Sequence, residues 1–195
     1  MKTFSISGSL RGNVGKKGAK AVRRAGDIPC VLYGGKEQVL FSLNAKEFGK
    51  AVFTPEVYLM DLNIEGRKFQ AIIQEIQWHP VTTEVSHLDF LEVVADKPIV
   101  MKLPLKFTGV APGVLQGGKL FKKFRALKVK GLVEKMPESI TLEISGLNVD
   151  QNTKVSDIKI DGLTMLDPQN AIVVGVASTR AVVADAAVAA APAKK

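Results

Sequence analysis

The 195-residue chain has one cysteine, Cys30, and two histidines, His79 and His87. A lone cysteine excludes a disulfide framework within the chain, and no third metal ligand stands at sensible spacing from the histidines. No apolar run reaches the roughly 18 residues that a membrane-crossing helix needs. The start, "MKTFSISGSLRG", alternates and turns polar too early for a signal peptide, so a cytoplasmic protein without membrane contact is expected. Nucleophile signatures are missing too. No GxSxG-like elbow occurs, and "GSLRGNVGKKGAK" has the glycines and lysines of a phosphate loop without the GxxxxGK[ST] order. His87 and Asp89 lie two apart on a strand and share a face, but nothing accompanies them that a general base could serve. These absences exclude an enzyme and predict no cofactor, no metal and no small-molecule substrate.

What is present is charge, unevenly spread. The net charge is +8, and an apolar fraction of 46% fits a folded chain with a real core. Residues 1–36 carry eight basic side chains against Asp27 alone, whereas residues 37–92 carry four against nine acidic ones. The pattern recurs further on. Residues 93–135 have ten basic against two acidic, and residues 136–195 five against seven. Two cationic segments on a nearly balanced background point to an anionic partner.

Periodicity organises the chain as mainly β. "TFSISGSLR" alternates as a strand, and "GKKGAKAVRRAG" predicts a short helix closed by Gly26. Lys16, Lys20, Arg23 and Arg24 fall on one stripe of that helix, with Gly18, Ala21, Val22 and Ala25 opposite. "PCVLY" and "EQVLFSL" read as strands joined by "GGK", and "NAKEFGKAVF" as a helix with Asn44 and Glu47 in capping-box spacing. Two strands meeting at Glu65-Gly66 and a further one, "EVSHLDFLEV", complete a small antiparallel barrel with two or three short helices over residues 1–92.

After the linker "VADKP", a second all-β domain is expected over residues 93–177. Its first strand, "IVMKLPLKF", contains Pro104, which predicts an edge position. Residues 178–195 are alanine-rich and are expected to form a frayed or disordered tail.

The stretch "RRAGDIPCVLYGGKE" gives the sharpest functional hint. Cations neutralise phosphates, and an aromatic at a strand end beside glycines can stack where the backbone lets a ligand approach. Each part has a plainer reading. A charged helix face is commonly only solvated, Tyr33 alone fits a half-buried barrel residue, and His87 fits a satisfied structural histidine. Their conjunction with the charge segregation is what favours nucleic-acid binding.

"SLRGNVGKKGAKAVRRAGDIPCVLYGGKE", then "QEIQWHP" and "VSHLDFLEV", resemble the family of bacterial large-subunit ribosomal proteins that bind 5S rRNA. "PIVMKLPLKFTGVAPGVLQGGKL", "MPESITLEISGL" and "KVSDIKI" resemble the second β-domain of its long form, known as general stress protein CTC. The likeness spans residues 1–177.

It implies a structural constituent of the large subunit, monomeric within the cytoplasmic ribosome, that grips an internal loop of 5S rRNA. Neighbouring ribosomal proteins are further expected partners. By position, Arg11, Lys16, Lys20, Arg23 and Tyr33 fall among the family's basic and aromatic contacts, and Gln74, His87 and Asp89 among its polar ones; Lys17 and Arg24 on the same helix are further RNA-binding candidates. Asp89 either accepts from base amino groups or supports His87. Lys20-Ala21 stands where the family commonly has adjacent arginines, and Trp78 where a basic residue is common. Two other readings stay open: a stand-alone tRNA-binding module, and a stress-induced factor whose second domain binds protein. Charge alone marks Lys122, Lys123, Lys128 and Lys130 as a possible second anchor.

Overall fold

The computed structural model describes residues 1–35, 37–54, 56–94 and 97–179. They fall into two compact units. The first holds Met1–Met101 with Leu132–Glu138, and the second Lys102–Gly131 with the described residues from Ser139 on. The alanine-rich stretch from residue 180 lies outside the described residues.

The first unit is a closed six-stranded barrel. Its strands are β1 (Lys2–Leu10), β2 (Asp27–Tyr33), β3 (Val39–Asn44), β4 (Tyr58–Ile64), β5 (Arg67–Trp78) and β6 (Val85–Glu92). They close in the order β1-β3-β2-β6-β5-β4. The β1–β4 and β2–β6 ladders are parallel, so the barrel is mixed rather than purely antiparallel. Closure leaves no open sheet edge to pair with another chain.

Period-two patterning fixes which side faces in. Ile28, Cys30 and Leu32 of β2 and Leu88 and Phe90 of β6 are buried, while Val31, Tyr33, His87 and Asp89 point outward and are half-buried. Phe90 packs 5.7 Å from Phe41 and 6.4 Å from Phe48, ring centroid to centroid, with Phe48 delivered by α2 (Ala45–Val52). Truncating such a buried ring costs about 3–5 kcal/mol. The β4–β5 hairpin turns at Glu65 (φ 48°) and Gly66 (φ 87°), the left-handed pair of a type I′ turn.

Both predicted helices form, with corrections. Helix α1 (Lys16–Arg24) is followed by Gly26 at φ 89°, as its sequence anticipated. Its inner side is Gly18, Ala19 and Val22, whereas Ala21 and Ala25 are exposed. The cap of α2 is one-sided: the Asn44 Oδ1 accepts from the Lys46 amide, without a reciprocal Glu47 bond.

The second unit has a four-stranded sheet ordered β10-β7-β9-β12 and a three-stranded sheet ordered β11-β13-β8. These strands are β7 (Ile99–Thr108), β8 (Lys119–Lys122), β9 (Ala126–Gly131), β10 (Ile140–Glu143), β11 (Asn152–Lys154), β12 (Leu163–Met165) and β13 (Ile172–Ala177), with one helical turn, α3 (Pro112–Leu115). One core cluster gathers Ala111, Ile144, Val174 and Val176 under Phe107, Leu120 and Leu147.

Strand β7 is not an edge strand, contrary to the expectation from Pro104. It lies between β10 and β9, but β10 pairs only with Leu105–Thr108. The Leu105 amide donates to the Arg125 carbonyl, toward β9, so the nitrogen of Pro104 faces the opposite side, just beyond the end of β10. The missing N–H costs no ladder bond there.

Candidate nucleic-acid interface

The cationic helix comes first in the chain. Nothing in its burial demands the lysines: α1 contains no buried residue, and Lys16, Lys17, Lys20, Arg23 and Arg24 are all exposed. Arg23 and Arg24 in the last turn suit the helix dipole, but Lys16 and Lys17 crowd the first turn, which holds no acidic residue. Cations there are unfavourable by about 0.3–1 kcal/mol each, a local cost that a purely structural helix would avoid.

Arg23 has a second engagement. Its Nε donates to the Ser86 carbonyl at 2.9 Å and ties the end of α1 to the start of β6, one residue from His87.

Strand register then assembles a surface. On the outside of the barrel, Arg11 donates its amide to Leu40, Leu40 stands opposite Val31, Val31 opposite Asp89, and Asp89 opposite Glu75. One row thus crosses four strands and ends at Arg11, just past β1. A parallel row runs from Ser9 through Ser42 to Pro29 on β2, and His87 faces Gln77 alongside. The Ser9 and Ser42 hydroxyls are 2.9 Å apart. Tyr33 stands two residues beyond Val31 on the same face.

Gln74 is displaced from this order. Ile73 pairs with Phe90 and Glu75 with Asp89, so Gln74 is the extra, exposed residue of a β-bulge. Bulges re-aim side chains and recur beside functional sites.

The electrostatics of the face are those of a half-dry polar strip. His87 Nδ1 lies 2.7 Å from Asp89 Oδ1, a close contact that lacks hydrogen-bond geometry. Both atoms are therefore buried without a hydrogen-bond partner, and so is Arg11 Nε, although the Arg11 Nη2 donates to the Asn13 carbonyl. Burial, then the carboxylates of Asp89 and Glu75, raise the Tyr33 hydroxyl above its usual pKa and keep it a neutral donor. Burial also pushes the Cys30 thiol far up, which leaves it an inert core side chain.

The glycines beside Tyr33 have a different purpose from the one the sequence invited. A Cβ at Gly34 would strike Leu91 Cδ1, and one at Gly35 would strike the Glu92 carboxylate. They let the end of β2 approach β6 rather than admit a ligand.

Tyr33, His87, Asp89 and Arg11 thus share one outer face, with Arg23 anchored at its border and Gln74 on its bulge. Gln77, Glu75 and Ser86 belong to the same region and escaped the sequence reading. Only the β5–β6 register reveals them, because the bulge shifts the alternation. Trp78 is exposed and lies 6.2 Å from the Phe53 ring. The lysines of the possible second anchor come from different sheets. Lys128 and Lys130 lie on β9, whereas Lys122 ends β8 of the other sheet and sits over the Phe107 ring at 4.7 Å.

A mainly β chain whose distinctive surface is cationic and polar has the architecture of a structural binding protein. Residues 6–90 match the Ribosomal L25p family, and residues 98–180 match the C-terminal domain of ribosomal protein TL5. The chain is 43% identical over 183 residues to the "Large ribosomal subunit protein bL25" of Porphyromonas gingivalis, covering 93% of this chain and 95% of that one. It is 43% identical over 195 residues to the protein of that name from Amoebophilus asiaticus, with full coverage of both. The counterpart in Bacteroides fragilis is 38% identical over 186 residues, covering 93% of this chain and 95% of that one.

The chain belongs to the ribosomal L25p family. It is a structural protein of the cytoplasmic ribosome and not an enzyme.

Proposed function

We propose that this protein is a constituent of the large ribosomal subunit that binds 5S rRNA through the outer face of β2, β6 and β5 together with α1. The observation that carries this reading is the position of the buried polar atoms that make no hydrogen bond within the chain. Among the described residues, the buried side-chain nitrogens and oxygens without a hydrogen-bond partner are Arg11 Nε, His87 Nδ1 and Asp89 Oδ1, and all three belong to this face. His87 Nδ1 and Asp89 Oδ1 face one another at 2.7 Å, which leaves Arg11 Nε as the atom with no polar partner; an unsatisfied buried group costs about 1–3 kcal/mol, so this face calls for a partner that completes it.

RNA suits the demand. Lys16, Lys17, Lys20, Arg23 and Arg24 meet phosphates, while Tyr33, Gln74 and His87 meet base edges or ribose hydroxyls of a distorted helix. Asp89, 2.7 Å from His87, lies beside the imidazole and supports its position. Residues 1–92 make up the RNA-binding domain in this reading, and residues 93–177 a second β-domain that extends the attachment.

Two measurements test it. On a sucrose gradient the chain should travel with the large subunit, and an RNase-resistant complex elsewhere would instead favour a protein-interaction role. In filter binding, the full chain should prefer 5S rRNA to plain duplex RNA, with a log–log salt slope of roughly −4 to −6 for six to eight phosphates. Equal affinity for both RNAs would overturn the 5S reading.

A further inference from the structure

The four-stranded sheet of the second unit has one buried and one exposed face, and the exposed one is basic. Leu103 of β7, Leu127 and Val129 of β9 and Ile140 of β10 are buried. Alternation turns Lys102, Pro104, Lys106, Lys128 and Lys130 the other way, and all four lysines are exposed. Register adds the rest of the face. Lys106 stands opposite Thr141, Thr108 opposite Glu143, and Lys130 opposite Thr164.

Counter-charge is sparse. Glu143 is the carboxylate of that face, across from Thr108 rather than from a lysine. Asp167, at the end of β12, spends Oδ2 on the Lys128 backbone amide at 2.7 Å. Among the described residues, none of the four lysines has a carboxylate within ion-pair distance.

We propose that this face, through Lys102, Lys106, Lys128 and Lys130, binds the phosphate backbone of double-stranded RNA. The geometry fits a rod of charge. Lys102 and Lys106 are about 13 Å apart along β7, and β9 lies about 4.8 Å to the side, so the patch is an elongated strip. Duplex nucleic acid presents one phosphate per about 1.7 Å of axis, enough for every lysine to be met at once.

The chemistry disfavours a protein partner. Protein interfaces rely on buried aromatic or arginine anchors and are depleted of lysine at their centres, whereas this strip offers lysine, threonine, one proline and, at its end, Glu143. Like-charged neighbours on one sheet face also repel. The proposal rests on the ribosomal role of the chain but not on the 5S reading, since the strip contacts backbone and carries no base-reading group.

The test uses the full chain with Lys16, Lys17, Lys20 and Arg24 replaced by Gln, which removes four of the five α1 cations and spares Arg23 for its bond to Ser86, and a plain RNA duplex without internal loops. Adding Lys102→Gln, Lys106→Gln, Lys128→Gln and Lys130→Gln should flatten the log–log salt slope by about 2.8 to 3.6 units, and the Lys128/Lys130 pair alone by about half of that. The same four changed to Arg should keep the parental slope, which separates charge loss from misfolding. An unchanged slope in the quadruple Gln variant overturns the proposal. So does equal affinity of the parent for poly-glutamate and the duplex, because the strip would then be a general acid-binding surface. Loss of 5S preference in the chain with native α1 bears on the proposed function alone and leaves this comparison decisive.

Discussion

Arg23 offers the most discriminating single position, because one side chain is asked to do two things. Its Nε holds α1 to β6 through the Ser86 carbonyl at 2.9 Å, and the two Nη groups remain for a phosphate. Arg23→Ala removes both. Loss of one hydrogen bond from a charged donor at an exposed site costs about 0.5–1.5 kcal/mol of stability, at the low end of the range because water competes. Loss of the phosphate contact flattens the salt slope by about 0.7 to 0.9 units. Arg23→Lys separates the two. The ammonium keeps the charge but is a single point that cannot bridge Ser86 and a phosphate in the guanidinium's fork geometry. Urea denaturation of Arg23→Lys should therefore resemble Arg23→Ala, while its salt slope on 5S rRNA should resemble the parent. The reasoning fails if Arg23→Lys is as stable as the parent while Arg23→Ala is not, or if Arg23→Ala binds with an unaltered slope.

Tyr33→Ala should cost about 1–3 kcal/mol of 5S affinity with the slope unchanged, as loss of a stacking ring does. A lowered melting temperature with intact affinity would make Tyr33 a packing residue only. His87→Ala should reduce the preference for 5S rRNA over plain duplex more than it reduces overall affinity, and equal losses on both RNAs would remove its reading role. Asp157 tests a different feature: the Lys154 amide and the Ser156 hydroxyl hold its carboxyl below the usual range. Its stabilisation is present above the unfolded carboxylate pKa and lost as pH falls through the lowered folded value. Thermal melts of Asp157→Asn should thus show the largest deficit near neutral pH and converge with the parent in acid, and a deficit constant with pH would refute the linkage.

Much of this was legible because the relevant signals are local. Alternation in "EVSHLDFLEV" places His87 and Asp89 outside and Leu88 and Phe90 inside with no knowledge of neighbours, and Gly26 closes α1 by its own backbone freedom. What escaped depends on which strand lies beside which. Pro104 reads as an edge marker until β10 is seen to stop one residue short of it. The glycines after Tyr33 look like an opening for ligand until Leu91 and Glu92 fill the space. Gln77 is hidden by the bulge at Gln74, since an unbroken register from the Ile73–Phe90 pair would put Ile76 opposite His87.

The same logic governs the second cationic segment. Sequence density grouped Lys122 with Lys128 because they are six residues apart, but the chain crosses from one sheet to the other between them. The lysines that accompany Lys128 and Lys130 instead come from β7, more than twenty residues earlier, and only the β7–β9 adjacency brings them together. Charge counted along a chain therefore identifies that a partner is anionic, while the sheet order decides which charges it can meet at once. For a rigid polyanion this second quantity sets the salt slope, so the strip on β7 and β9, not the local run of basic residues, is where substitution should change attachment.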